Sequence, residues 1–165
     1  MKELLKQYAA YNCWASQRII DVLLTLPEEK QMAEVPSSLN SLYKTVLHMW
    51  DAESIWWQRM KMQERLVVPS ENFMGNLQDA ANGLLNQSKL WNDWVNNASD
   101  LSLEHVFQYY NNKKEYFKQP VYQMIQHVFN HGTYHRGQLI NMLRQLGIEK
   151  LPATDFIIWA RSQKK

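Results

Sequence analysis

Apolar residues recur at three- and four-residue steps through most of the chain, the period of amphipathic helices. Leu4, Tyr8, Asn12, Ala15, Ile19, Val22 and Leu26 form the first stripe, which predicts a helix from about Lys2 to Leu26. Pro27 ends it, because proline disfavours helical geometry in the residue before it. A second helix is expected after Pro36, with Ser37 or Ser38 accepting from the free amides of its first turn. Its stripe is Leu39, Leu42, Val46, Met49, Glu53, Trp56 and Met60, and the pattern fades near Pro69. A third follows Gly75, with Asn76 as cap and Asp79 completing a partial capping box. Leu77, Leu84, Leu85, Trp91, Trp94 and Val95 make its apolar face, and Asn96-Asn97 fray its end.

Between Leu103 and Gln119 the period changes. Val106 to Tyr110 and Glu115 to Phe117 are rich in strand formers around Asn111-Asn112, which predicts a small hairpin or an extended crossover. A lone hairpin is marginal, so this one must pack on the helices. Pro120 suits the first position of a fourth long helix. That helix runs to Leu146, and Gly147 fits its left-handed C-terminal cap. Pro152 and Thr154 precede a short last helix, Asp155 to Arg161. The expected fold is all-α. It is one domain over residues 1–165, an antiparallel four-helix bundle with a crossover or small hairpin before the fourth helix and a short C-terminal helix.

Composition narrows the chemistry. The 165 residues fit one domain, and 45% hydrophobic with 21% charged residues is ordinary for a globular protein. One cysteine excludes an intramolecular disulfide and a multi-cysteine zinc site. Cys13 reads as a small packed residue in a reducing compartment. Basic and acidic residues number 18 and 16 and are interspersed, so no basic stripe points to nucleic acid. The Lys164-Lys165 tail reads as a solvated end. No apolar run is long enough to span a membrane, and the N-terminus lacks a signal-peptide pattern. The expectation is a cytoplasmic protein acting on a small molecule. The seven tryptophans imply heavy ring burial or ligand stacking. Trp14, Trp56, Trp91 and Trp94 lie on packing faces, whereas Trp50 and Trp57 neighbour His48 and could wall a pocket.

Histidine carries the strongest signal. His127, His131 and His135 follow at four-residue steps on the fourth helix, and His131 and His135 stand on its core stripe with Val121, Met124, Val128, Leu139, Met142 and Leu146. His127 flanks the stripe. His127 and His135 lie ~12 Å apart along a straight helix, too far to share one ion bound at about 2.0–2.1 Å. An adjacent pair converges readily. Unpaired buried imidazoles cost on the order of 1–3 kcal/mol each, and a metal satisfies both; core histidines bonded to water or backbone are the alternative. A third ligand must come from another helix. His48 and Glu53 are the candidates, and Glu53 is better placed by periodicity. His105 reads as a surface residue.

The segment His127-Val-Phe-Asn-His131-Gly-Thr-Tyr-His135-Arg-Gly-Gln138 resembles the signature of the DinB / YfiT-like superfamily, the damage-inducible helical proteins and not the polymerase that shares the name. Tyr11-Asn12-Cys13-Trp14-Ala15, Leu47-His48-Met49-Trp50-Asp51-Ala52-Glu53 and Leu151-Pro152-Ala153-Thr154-Asp155-Phe156 resemble its other segments in order, so the likeness spans nearly the whole chain. The resemblance implies a four-helix bundle with one divalent metal, zinc or nickel, held by His48, His131 and His135. It implies thiol-dependent S-transfer with a low-molecular-weight thiol as cosubstrate, metal-dependent hydrolysis, or a non-catalytic stress protein. Homodimers are common among its members, and Trp91 or Trp94 could seal such an interface if they do not fill the core. Glu53 and Asn12 are the candidate catalytic or supporting residues: Glu53 as general base or orienter of a ligating histidine, Asn12 through a bond to ligand or to a neighbouring helix. Asp51 orients a histidine or faces solvent. Tyr134 and Arg136 flank the ligands, with Arg136 as an anion binder or a surface residue. Cys13 has no histidine near it in sequence and is not the expected nucleophile.

Overall fold

The computed structural model describes residues 1–111 and 113–163. Asn112 of the predicted turn and the Lys164-Lys165 tail lie outside them. The chain is mostly helical. Its elements are α1 (Lys2–Leu23), α2 (Glu28–Met32), α3 (Leu42–Met60), a 3₁₀ turn (Pro69–Asn72), α4 (Leu77–Asn97), α5 (Asp100–Glu104), β1 (Val106–Tyr110), β2 (Tyr116–Pro120), α6 (Val121–Gln145) and α7 (Phe156–Ser162). None of these helices is long and apolar enough to cross a membrane.

The helix ends show where local chemistry outranks periodicity. α1 stops at Leu23, before the expected Leu26. Its last turn tightens, with Thr25 N–H donating to Val22 O at 3.1 Å and Leu26 N–H to Leu23 O at 3.2 Å. Such short-range bonds satisfy terminal carbonyls when a proline lies ahead. Pro27 then serves as N-cap of α2, a helix the stripe did not show. The cap of α3 is Ser41, whose Oγ accepts from Lys44 N–H at 3.1 Å. Ser37 and Ser38 instead enter a turn closed by Asn40 N–H on Ser37 O at 3.2 Å. The α4 capping box forms in full: Asn76 Oδ1 accepts from Asp79 N–H at 3.0 Å and Asp79 Oδ2 from Asn76 N–H at 3.1 Å. Pro120 closes β2 and caps α6 rather than opening it. Gly147 adopts the expected left-handed geometry, φ +76°.

The hairpin forms with Tyr109 opposite Phe117, and its buried Phe107 joins the helical core. The predicted stripe of α1 holds at Asn12, Ala15 and Ile19, but at its start Leu5, 2% exposed, is buried in place of Leu4, 62% exposed. Trp91 is fully buried, Trp57 meets Trp91 edge to face at 5.0 Å, and Trp50 meets Phe73 at 5.4 Å. Trp91 therefore belongs to the core and does not face outward, while the partly buried Trp50 and Trp57 pack against it from its margin.

The four long helices pack in the pairs α1·α4, α1·α6, α3·α4 and α3·α6. Two apolar clusters fill the interior. One contains Ile19 and Leu23, Leu42 and Met49, Leu77 and Leu84, and Leu139 and Leu143. The other contains Leu5 and Ala9, Trp91 and Val95, and Val121 to Phe129, with Trp56 and Met60 packed on it. Along the chain, α1 and α6 pass from the second cluster to the first, whereas α3 and α4 pass from the first to the second. Packed neighbours α1·α6 and α3·α4 therefore run in the same sense, which corrects the expected all-antiparallel order. The long return is the 61–76 segment between α3 and α4, not the hairpin. Asp51 anchors that return: its carboxylate accepts from Ser70 N–H at 2.9 Å and Ser70 Oγ–H at 2.6 Å. It neither binds a histidine nor stands free in solvent.

Truncating Leu84 to Ala should cost about 2–5 kcal/mol and Ser41 to Ala about 1 kcal/mol. Urea denaturation of both variants measures the difference, and an equal loss at the two positions contradicts this division between core and cap.

Candidate metal centre

The polar residues of the long helices cluster midway, between the two apolar clusters. His48 comes from α3, His131 and His135 from α6, one helical turn apart on the face toward α3. His131 Nε2 lies 3.0 Å from His135 Nε2 and 3.3 Å from His48 Nε2. One ligand atom from each residue falls within 4.8 Å of the others. Nitrogens about 2.0–2.1 Å from a tetrahedral zinc are separated by about 3.3–3.4 Å, so the spacing fits one ion with little rearrangement.

Protonation points the same way. Burial holds all three imidazoles below the ordinary histidine value, and His131, also beside His135 and His48, is pushed down to about 4. All three are therefore neutral near pH 7. The nitrogen His131 Nε2 faces two others, and a neutral ring nitrogen carries either one proton or one lone pair. One shared proton cannot satisfy both contacts; a cation at the centre can. His135 Nδ1 lies 2.8 Å from Gln138 Oε1.

The remaining histidines stand apart. His127 sets its ring edge to face on Trp56 at 5.1 Å, with its centroid 6.0 Å from that of His131. It flanks the centre without joining it. His105 is exposed, as expected.

Glu53 does not complete the cluster, although periodicity preferred it to His48. Its carboxylate accepts from Asn12 Nδ2–H at 3.0 Å and from Ser88 Oγ–H at 2.8 Å. Arg136 Nη1–H donates to Asn12 Oδ1 at 2.6 Å and to Ser16 Oγ at 3.2 Å, and Nη2–H donates to Thr133 Oγ1 at 2.9 Å. Arg136 is only 2% exposed. It is neither a surface arginine nor an exposed anion binder. Asn12 makes the interhelical bonds that were one of its two expected roles, and relays between a buried guanidinium and a buried carboxylate. Gly132 leaves room for this: a Cβ there would lie 2.9 Å from Asn12 Oδ1 and 3.1 Å from Arg136 Nη1. Burial raises Glu53 to about 7 against the lowering effect of Asn12, Ser88 and Arg136. Burial also pushes the Cys13 thiol up to about 12, and its Sγ–H donates to Ser88 O at 3.3 Å.

Ser88, Ser16 and Gln138 were not singled out from the sequence. Ser88 carried a readable signal, since it lies four residues after Leu84 and three before Trp91, on the buried face. Gln138 carried a weaker one, three residues beyond His135 on the same helix.

Between pH 4.5 and about 7, the folded chain keeps on Glu53 a proton that the unfolded chain releases, so this group lowers stability as pH rises through that window. Glu53→Gln has no such titration. Its melting temperature relative to the parent should climb as pH is raised from 4.5 to about 7. Thermal melts at stepped pH check this, and a constant difference contradicts it.

Comparison with known proteins agrees with this architecture. The sequence model of the DinB family matches residues 1–165. Protein DinB of Bacillus subtilis (strain 168) is 28% identical, over 88% of this chain and 87% of its own length. Among solved structures, a DinB-like protein from Bacillus cereus ATCC 10987 superposes with a TM-score of 0.72 at 18% identity, covering 92% of this chain and 95% of that one. A DinB-like protein from Bacillus subtilis superposes with a TM-score of 0.67 at 13% identity, covering 90% and 98%. With a family match over its full length, the chain belongs to the DinB family.

Proposed function

We propose that this protein is a metal-dependent enzyme, binding one divalent ion, zinc or nickel, through Nε2 of His48, His131 and His135 and joining a low-molecular-weight thiol through its sulfur to a small electrophilic substrate, with the thiol proton lost and any leaving group released from the electrophile. The carrying observation is the convergence of three neutral imidazole nitrogens from two helices, with no fourth protein ligand among the described residues. Three protein ligands with an open position are the pattern of catalytic metal sites, whereas structural sites are closed. In such a site a divalent ion supplies Lewis acidity, which favours the thiolate form of a bound thiol or lowers the pKa of bound water.

The chain's own residues divide the remaining work. His48 and His131 are half-buried and His135 is buried, which places the cluster at the edge of the core with one side toward solvent. Cys13, protonated and bonded to a backbone carbonyl, is unsuited to be the nucleophile, which supports an exogenous thiol. Glu53 and Asn12, held by Ser88 and Arg136, are proposed as the scaffold that fixes α1, α3, α4 and α6 around the ligands rather than as groups that touch substrate. The four long helices are read as one bundle in which packed neighbours alternate between same-sense and opposite-sense pairs. For a homodimer, the exposed Phe156, Ile157 and Ile158 of α7 are the available apolar face, and sedimentation decides it.

Metal analysis of the purified protein should give about one ion per chain, lost in His131→Ala, because two remaining imidazoles hold a divalent ion poorly. Metal-loaded protein should conjugate a generic electrophile with glutathione, bacillithiol or mycothiol, and the same substitution should abolish it. Ester hydrolysis without any thiol requirement moves the assignment to a hydrolase. Metal binding that only raises the melting temperature, with neither reaction detectable, makes the ion structural. Metal retained by His131→Ala removes the proposed ligand set.

A further inference from the structure

The geometry points to Gln138 as the residue that positions His135 for metal binding, by accepting the Nδ1 proton and so holding the ring in the tautomer whose Nε2 is free to ligate. This inference rests on the metal centre proposed above and concerns a side chain outside the ligand set.

The ring of His135 has two nitrogens with opposite surroundings. Nε2 faces the other two histidines, 3.0 Å from His131 Nε2. Nδ1 faces away, 2.8 Å from Gln138 Oε1. A ligating Nε2 must present a lone pair, so the ring proton must reside on Nδ1, where an acceptor has to receive it. A glutamine amide offers an acceptor at one end and a donor at the other, and either end can in principle face the ring. In this structure the amide oxygen faces the ring and the amide nitrogen faces two hydroxyls. Gln138 Nε2–H donates to Ser38 Oγ at 3.1 Å and to Tyr134 OH at 3.1 Å. Hydroxyls donate as well as accept, so it is the lone pair needed at His135 Nε2 that selects the carbonyl oxygen for Nδ1–H. Tyr134 also sets its ring edge to face against the His135 imidazole, with centroids 5.0 Å apart.

The arrangement has a second consequence. Tyr134, His135 and Gln138 all lie on α6, whereas Ser38 belongs to the turn just ahead of α3, the helix that carries His48. Gln138 therefore ties the α3 entry loop to the α6 ligand pair while it orients one of them. Gln138 acts through His135, so it is a positioning residue.

Two measurements on Gln138→Leu and Gln138→Glu test this. Long-range ¹H–¹⁵N correlation spectra of the metal-free protein read the His135 tautomer, and chelator competition reads zinc affinity, with Co²⁺ absorption reporting ligand geometry. In the parent, His135 should be the Nδ1–H tautomer. In Gln138→Leu that preference should be lost and the zinc dissociation constant should rise about 10–100-fold, with the metal-free melting temperature nearly unchanged. Gln138→Glu should restore both, because a carboxylate accepts the same proton and the two hydroxyls can turn to donate to it. Unchanged tautomer and affinity in Gln138→Leu overturn the proposal, as does an Nε2–H tautomer in the parent or a Gln138→Glu that binds no better than Gln138→Leu. If the parent binds no zinc, the metal reading itself fails. The tautomer spectra still decide the lock, which stands only if Nδ1–H is present in the parent and lost in Gln138→Leu.

Discussion

Three imidazole nitrogens facing one another at the edge of a core create a deficit that the chain cannot close by itself. His131 Nε2 sits within hydrogen-bonding distance of both His48 Nε2 and His135 Nε2, yet one nitrogen can donate only one proton. Protonating all three rings is resisted by burial and by mutual repulsion, which together push His131 down to about 4. A cation resolves the deficit without adding a proton. The surrounding architecture follows from holding α3 and α6 where this can happen, and from filling both ends of the helices with apolar residues so that the polar layer stays in the middle.

The same layer contains a second, internally satisfied network. A buried arginine and a buried glutamate are joined through Asn12, whose carbonyl receives the guanidinium and whose amide donates to the carboxylate. Removing one member of such a network leaves the others desolvated and unpaired, which is costly. Here it touches all four long helices: Asn12 and Ser16 on α1, Glu53 on α3, Ser88 on α4, Arg136 on α6. Arg136 adjoins His135, and Gly132 adjoins His131. The network and the histidine cluster therefore constrain the same stretch of α6 from opposite sides.

Much of the centre was legible in the residues. His131 and His135 announced themselves because two imidazoles at a four-residue step occupied positions where apolar side chains were due. The capping box at Asn76 and Asp79, the Gly147 cap and the hairpin were readable because each depends on residues a few positions apart. Periodicity did not point to the third histidine of the cluster. Glu53 stands deeper in the α3 stripe than His48, and depth alone favoured it. Depth is also what gave Glu53 to Asn12 and Ser88 in the interior, while the half-buried His48 was left free to meet α6 at the rim. The assignment of His48 in the sequence came from family resemblance, and the three-dimensional cluster agrees with it. Arg136 was misplaced for a similar reason. A lone arginine beside a core stripe is ordinarily solvated, and nothing local reveals that Asn12 and Ser16 of α1 await it across the core.

The sequence by itself determined the elements and the family: long amphipathic helices, a short hairpin, and a histidine pair whose spacing is set by the geometry of one helix. These are short-range properties, written in the period of apolar residues and in side chains that reach their own backbone. Only the tertiary structure decided the direction of α4 relative to α3, the partner of the histidine pair, and the fate of Glu53, Arg136 and Gln138. Those depend on which faces of different helices meet, and the local pattern of one helix cannot say what its buried polar groups will find across the core.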